Sequence, residues 1–127
     1  MHEDELAAVP VRFLPALFLA RRPLRRLRRD LRVLTGLAVS GGRGAGPERL
    51  AAANLLRSAV AELDRHAGGR GEACILTKDV VFALAACLSE AAELLAEAAL
   101  DAPVALAGRL EAQLVGGLLE AQPVAPA

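Results

Sequence analysis

Lys78-Asp-Val-Val-Phe-Ala-Leu-Ala-Ala-Cys-Leu-Ser-Glu-Ala-Ala-Glu-Leu-Leu-Ala-Glu-Ala-Ala-Leu100 is the stretch whose reading decides the fold. Thr77 stands before it as an N-cap, and Asp79 adds an acid to the first turn, so a helix is predicted over 77–100. Its first part, Val80–Leu88, is apolar on every side. A helix apolar all round belongs in the middle of a protein. Its second part is amphipathic, with Leu88, Ala91, Leu95 and Ala98 inward and Glu90, Glu93 and Glu97 outward. Asp101 and Pro103 end it and open a last helix, predicted over 103–120, whose end Gly116 and Gly117 weaken.

Upstream, two more helices follow from periodicity. Leu24, Leu27, Leu31, Leu34 and Ala38 recur at spacings of 3 and 4 and make one apolar face of a helix over 23–39. Pro23 suits its first turn. Pro47 opens a helix over 47–66 with Leu50, Ala53, Leu56, Val60 and Leu63 inward. The segment 1–22, punctuated by Pro10 and Pro15 and bounded by Pro23, reads as short helical pieces with a turn near Arg22. Two Gly-rich loops, 40–46 and 67–73, share the tetrapeptide Gly-Gly-Arg-Gly, at 41–44 and 68–71. Ala73–Leu76 reads as a short extended link. The expected architecture is all-α: a compact bundle of four main helices within a single domain, 1–121, followed by a flexible tail, 122–127.

Composition agrees. The chain of 127 residues holds 28 Ala and 24 Leu, and these are strong helix formers. One Ile and ten Val are too few for a large sheet, and Trp and Tyr are absent. Collagen-like, disordered, disulfide-scaffold and all-β classes are excluded on these grounds. No uncharged run approaches the ~20 residues of a membrane span. The acidic, then apolar, then basic order at the start is not that of a secretory signal. Cys74 and Cys87 are read as reduced thiols. A cytoplasmic location is therefore expected.

The sequence carries little that could do chemistry. Its two histidines, His2 and His66, make no metal-ligand spacing with the cysteines, and no serine stands in a nucleophile elbow. Glu90, Glu93, Glu97 and Asp101 read as a solvated acidic face, because the Glu-x-x-His of paired-metal bundles is missing. Ser40–Gly46 precedes a helix, but Glu48 stands where a phosphate loop needs Lys and Ser or Thr. No catalytic residue, cofactor or metal is expected. Cys87, inside the apolar run, is expected to be less reactive than Cys74, just after a loop.

Charge is the informative feature. The net charge is zero, yet residues 1–46 carry nine Arg against four acids, and residues 47–127 carry six bases against eleven acids. The first excess concentrates in Arg21, Arg22, Arg25, Arg26, Arg28, Arg29 and Arg32, the candidate partner- or anion-binding residues. Two functions are expected from them. One is a non-enzymatic interaction or regulatory module acting through helix faces, with a protein partner or self-association. The other is a peripheral binder of anionic lipid or nucleic acid. The near absence of aromatic residues argues against single-strand binding. No small-molecule substrate is indicated.

An apolar helix wrapped by amphipathic ones resembles, in architecture, the Bcl-2-like bundles. Leu56-x-x-x-Val60-x-x-Leu63-Asp64 is loosely similar to their BH3 segment, while their Asn-Trp-Gly-Arg signature is absent.

Overall fold

The computed structural model describes residues 16–40, 46–67 and 73–120. In chain order they form strand β1 (Ala16–Leu19), helix α1 (Arg21–Val39), helix α2 (Pro47–His66), strand β2 (Cys74–Thr77), helix α3 (Lys78–Glu97) and helix α4 (Asp101–Glu120). The architecture is the expected all-α bundle of four helices, with one small addition, a two-stranded ribbon.

The helices form a ring. α1 packs on α2, α2 on α3, α3 on α4, and α4 closes back on α1 through the smallest of these contacts. α1 and α3 therefore occupy diagonal corners. All four line a single core rich in Leu and Ala. The stripe read from the sequence of α1 is buried without exception: Leu24, Leu27, Leu31, Leu34 and Ala38. Each fully buried Leu contributes about 1.5–3 kcal/mol, so this stripe holds α1 to the bundle.

The ribbon corrects the expectation of helical pieces at residues 16–19, while Arg21 and Arg22 are helical as part of α1. β1 and β2 pair antiparallel, with Leu17 opposite Leu76 and Leu19 opposite Cys74 on the buried face. Phe18 and Ile75 face each other on the outer side, 62% and 64% exposed. Four residues are too few for periodicity to tell a strand from a helical turn, and the partner strand begins only at Cys74, two helices further on. Residues 1–15, both Gly-Gly-Arg-Gly loops and the 122–127 tail lie outside the described residues.

Pairing has a geometric consequence. α1 begins two residues after β1, and α3 begins directly after β2, so the ribbon ties the N-terminal ends of both helices to one end of the bundle. Gly117 lets it settle there, because a Cβ at that position would come within 2.9 Å of Leu17 Cδ1. The glycine that weakens α4 by propensity thus makes room for β1.

Other boundaries shift by one to three residues. α1 starts at Arg21, with Pro23 in its first turn, where a missing N–H is tolerated. α4 starts at Asp101. α3 stops at Glu97 rather than near Leu100. Ala99 adopts φ 58°, and its N–H donates to Ala96 O while that of Leu100 donates to Leu95 O. This is the Schellman arrangement, with Ala where Gly is usual.

Two inward faces are also corrected. Leu50 of α2 is exposed, and Ala52 and Ala59 join Ala53, Leu56 and Leu63 in the core. Val80–Leu88 is apolar but not buried on all sides. Val81, Leu84, Ala85 and Leu88 point inward, whereas Phe82 is 48% exposed and Ala83 and Ala86 face outward. A ring of four helices has no axial position, so every helix keeps an outer side. The layout of a helix wrapped by others, on which the Bcl-2 likeness rested, is not adopted. Leu56 and Leu63 of the BH3-like run lie in the core.

Candidate functional site: the arginine face of α1

With its Leu stripe buried, α1 presents its remaining surface outward. Arg21, Arg22, Arg25, Arg26, Arg29 and Arg32 are exposed. Arg28 stands apart from the other candidates. It is half-buried and its Nη2 lies 2.8 Å from Asp64 Oδ1 of α2. That contact is close in distance but poorly aligned, and neither Arg28 Nε nor Asp64 Oδ1 completes a hydrogen bond. Arg28 therefore helps dock α1 on α2. Among the described residues the exposed arginines have one acidic neighbour, Asp30, at 3.6 Å from Arg29 Nε.

Their placement opposes helix electrostatics. The N-terminus of a helix carries a partial positive charge and favours acids. α2, α3 and α4 each carry an acid there, Glu48, Asp79 and Asp101. α1 has no acid there and no side-chain cap; Arg21 and Arg22 occupy the turn instead. The positive end of the dipole and the guanidiniums reinforce each other at the ribbon end of the bundle.

Two open depressions follow the arginines. One, of about 460 Å³, is lined by Arg25, Arg28, Arg29, Arg32 and Val33. The other, of about 350 Å³, is lined by Arg22, Arg25, Arg26 and Arg29. Arginines make up nearly all of each lining, their aliphatic stems forming more of the wall than their guanidinium heads, and the planar forks of those heads suit carboxylate and phosphate oxygens. Towards its C-terminal half the same face turns apolar, with Val33 48% and Leu37 37% exposed.

The C-terminal end of α1 is held by a residue that sequence reasoning missed. Arg49 of α2 donates from Nε to Ala38 O at 2.9 Å and from Nη2 to Leu37 O at 3.1 Å, and also to Ser40 O. α1 has no base in its own last turn, so Arg49 supplies both donors and a positive charge to its free carbonyls. The signal lay in an Arg in the first turn of α2, where helix electrostatics disfavour it.

The bundle does not bring the acidic block of α3 to the arginines. Glu90, Glu93 and Glu97 are exposed on the opposite corner, and Asp101 is exposed at the start of α4. Among the described residues no three His, Cys, Asp or Glu side chains gather as a metal-ligand set. His66 pairs with Glu62, one turn back in α2, at 3.3 Å, and Glu62 also pairs with Arg65.

The cysteines reverse the expected order of burial. Cys74 is buried on the inner face of the ribbon and Cys87 is half-buried. Burial raises the pKa of both thiols, and the charge of Glu90 raises that of Cys87 further. No helix among the described residues is long and apolar enough to cross a membrane. Comparison with protein-family models, with curated proteins and with solved structures finds no match, so the arginine face must be interpreted from its own chemistry.

Proposed function

We propose that this protein is a non-enzymatic interaction or regulatory module that works through the outward face of α1 and docks on an acidic protein surface. One observation carries the reading. Six arginines stand exposed on a helix whose first turn has no acid, and the described bundle supplies them with almost no internal counter-charge. Stability alone favours acids at that end, so the arrangement is retained at a cost to the helix. The thiols do not suggest a nucleophile, because burial holds them in the protonated form.

The test is binding of the full chain to fluorescent polyglutamate. Wild type is expected to bind, with affinity falling as salt rises. Joint replacement of Arg22, Arg25, Arg26 and Arg29 by Ser is expected to abolish binding while the circular dichroism stays helical. Retained binding by a folded variant would overturn the reading.

A second reading, a phosphate-bearing surface, is favoured by the two Arg-walled depressions. Binding to anionic vesicles or duplex DNA with a steeper salt dependence than for polyglutamate would select it.

A further inference from the structure

We infer that the partner of the α1 face is the outward face of α3 in a second copy of this chain, docked antiparallel in one register. The inference rests on the preceding reading that α1 is the working surface, and it names the acidic partner.

The two faces match position by position. Opposite its buried stripe, α1 presents Arg22, Arg26, Arg29, Val33 and Leu37, all exposed, at spacings of 4, 3, 4 and 4. Read backwards, α3 presents Glu97, Glu93, Glu90, Ala86 and Phe82, all exposed, at the same spacings. Two antiparallel helices pair one ascending series with one descending series. A single register therefore sets Arg22 against Glu97, Arg26 against Glu93 and Arg29 against Glu90. It also sets Val33 against Ala86 and Leu37 against Phe82. Charge meets opposite charge and apolar meets apolar in five successive pairs, over about 22 Å of helix at 1.5 Å per residue. A parallel docking would set the Glu half of α3 against Val33 and Leu37 and the Arg half of α1 against Phe82 and Ala86.

The faces cannot meet within one molecule, because α1 and α3 occupy diagonal corners of the ring. For the same reason a two-fold dimer cannot satisfy both faces of both copies at once. The contact is heterologous: each added copy leaves one α1 face and one α3 face open, and because antiparallel docking inverts each copy relative to the last, growth is open-ended. The apolar half of the seam is small and the charged half is solvent-exposed. The association is accordingly weak and salt-sensitive, with the charges fixing orientation and register.

Sedimentation velocity of the full chain over a concentration series is the test. Near 50 mM salt the weight-average mass is expected to rise past that of a dimer. At about 500 mM the apparent affinity is expected to fall by about tenfold or more. Arg22→Glu, Arg26→Glu and Arg29→Glu combined should give a monomer, as should Glu90→Arg, Glu93→Arg and Glu97→Arg combined. Mixed in equal amounts, the two variants should associate again, since each α1 then meets an α3 of opposite charge in the other. Should either triple variant lose its helical circular dichroism, the single reversals Arg26→Glu and Glu93→Arg are mixed in the same way. Failure of the mixture to associate, or a mass that saturates at the dimer, overturns the inference. A wild type that binds polyglutamate yet stays monomeric overturns self-docking and leaves the α1 reading standing. A wild type that does neither overturns both.

Discussion

α1 and α3 start from the same end of the bundle, and each buries one stripe of Leu and Ala, yet their ends are built differently. α3 follows the local rules at its start. Thr77 Oγ1 accepts a hydrogen bond from the Val80 N–H, Asp79 sits in the first turn, and the helix closes in a Schellman turn of its own residues. α1 begins without a side-chain cap, with arginines where acids belong, and its far end is capped by Arg49 from another helix. A helix finished by its own sequence needs little from its neighbours. α1 instead depends on its buried stripe and on α2, which leaves its outer surface available for charges that do nothing for the isolated helix. Burial of Leu24, Leu31 and Leu34, each fully enclosed, is large enough to offset that local cost.

The contrast can be broken most severely at the stripe. Leu31→Asp places an unpaired carboxylate in the core of a helix that has little local support, and a loss of more than about 4 kcal/mol is expected, enough to abolish the cooperative thermal transition. Leu27→Asp should act in the same direction. If either variant melts like wild type, α1 is not held by its stripe.

Removing the borrowed cap should cost less. Arg49→Met keeps much of the side-chain bulk but loses the donors to Ala38 O and Leu37 O, and a loss of about 1–3 kcal/mol is expected in chemical denaturation. An unchanged midpoint would show that α1 closes its own end as α3 does.

The self-made ends can be sharpened. Ala99→Gly relieves the left-handed backbone of the α3 turn and should stabilise by about 1 kcal/mol. Arg22→Glu supplies α1 with the acid its first turn lacks and should stabilise by about 0.3–1 kcal/mol while weakening polyglutamate binding. Opposite signs for stability and binding are the expected signature of a residue kept for function. If Arg22→Glu lowers both, the arginine belongs to the scaffold.

The smallest effect concerns the thiols. Cys87 should react with a thiol reagent before Cys74 in the native state, because Cys74 lies on the ribbon's inner face, and both should equalise on denaturation. Both thiols have folded pKa values above the ordinary one. Their contribution to stability is therefore complete below the ordinary thiol pKa and is lost as pH rises through the folded values. Cys87→Ala and Cys74→Ala should each flatten the alkaline fall in melting temperature.

Much of this was legible along the chain. The inward face of α1 was readable residue by residue, because Leu and Arg differ so strongly in hydration that their 3-and-4 spacing has one interpretation. α2 was less readable. Ala fills both its faces, so periodicity could not rank Leu50 below Ala52 and Ala59, and only packing against neighbours on two sides did. In α3 the Val80–Leu88 run lacked any polar residue to mark an outer side. The ribbon was hidden for another reason: β1 has no strand partner within reach of any local window.

By itself, then, the sequence determined the number of helices, the buried face of α1, the polar face of α3 and the separation of positive from negative charge. These follow from local periodicity and from side-chain hydration. Tertiary structure alone decided that residues 16–19 pair with 74–77, that Gly117 gives way to Leu17, that Arg49 closes α1, and that the two charged helices stand on diagonal corners. Each of these depends on which distant segments share a boundary, and a contact between residues tens of positions apart leaves no trace in the spacing of either one.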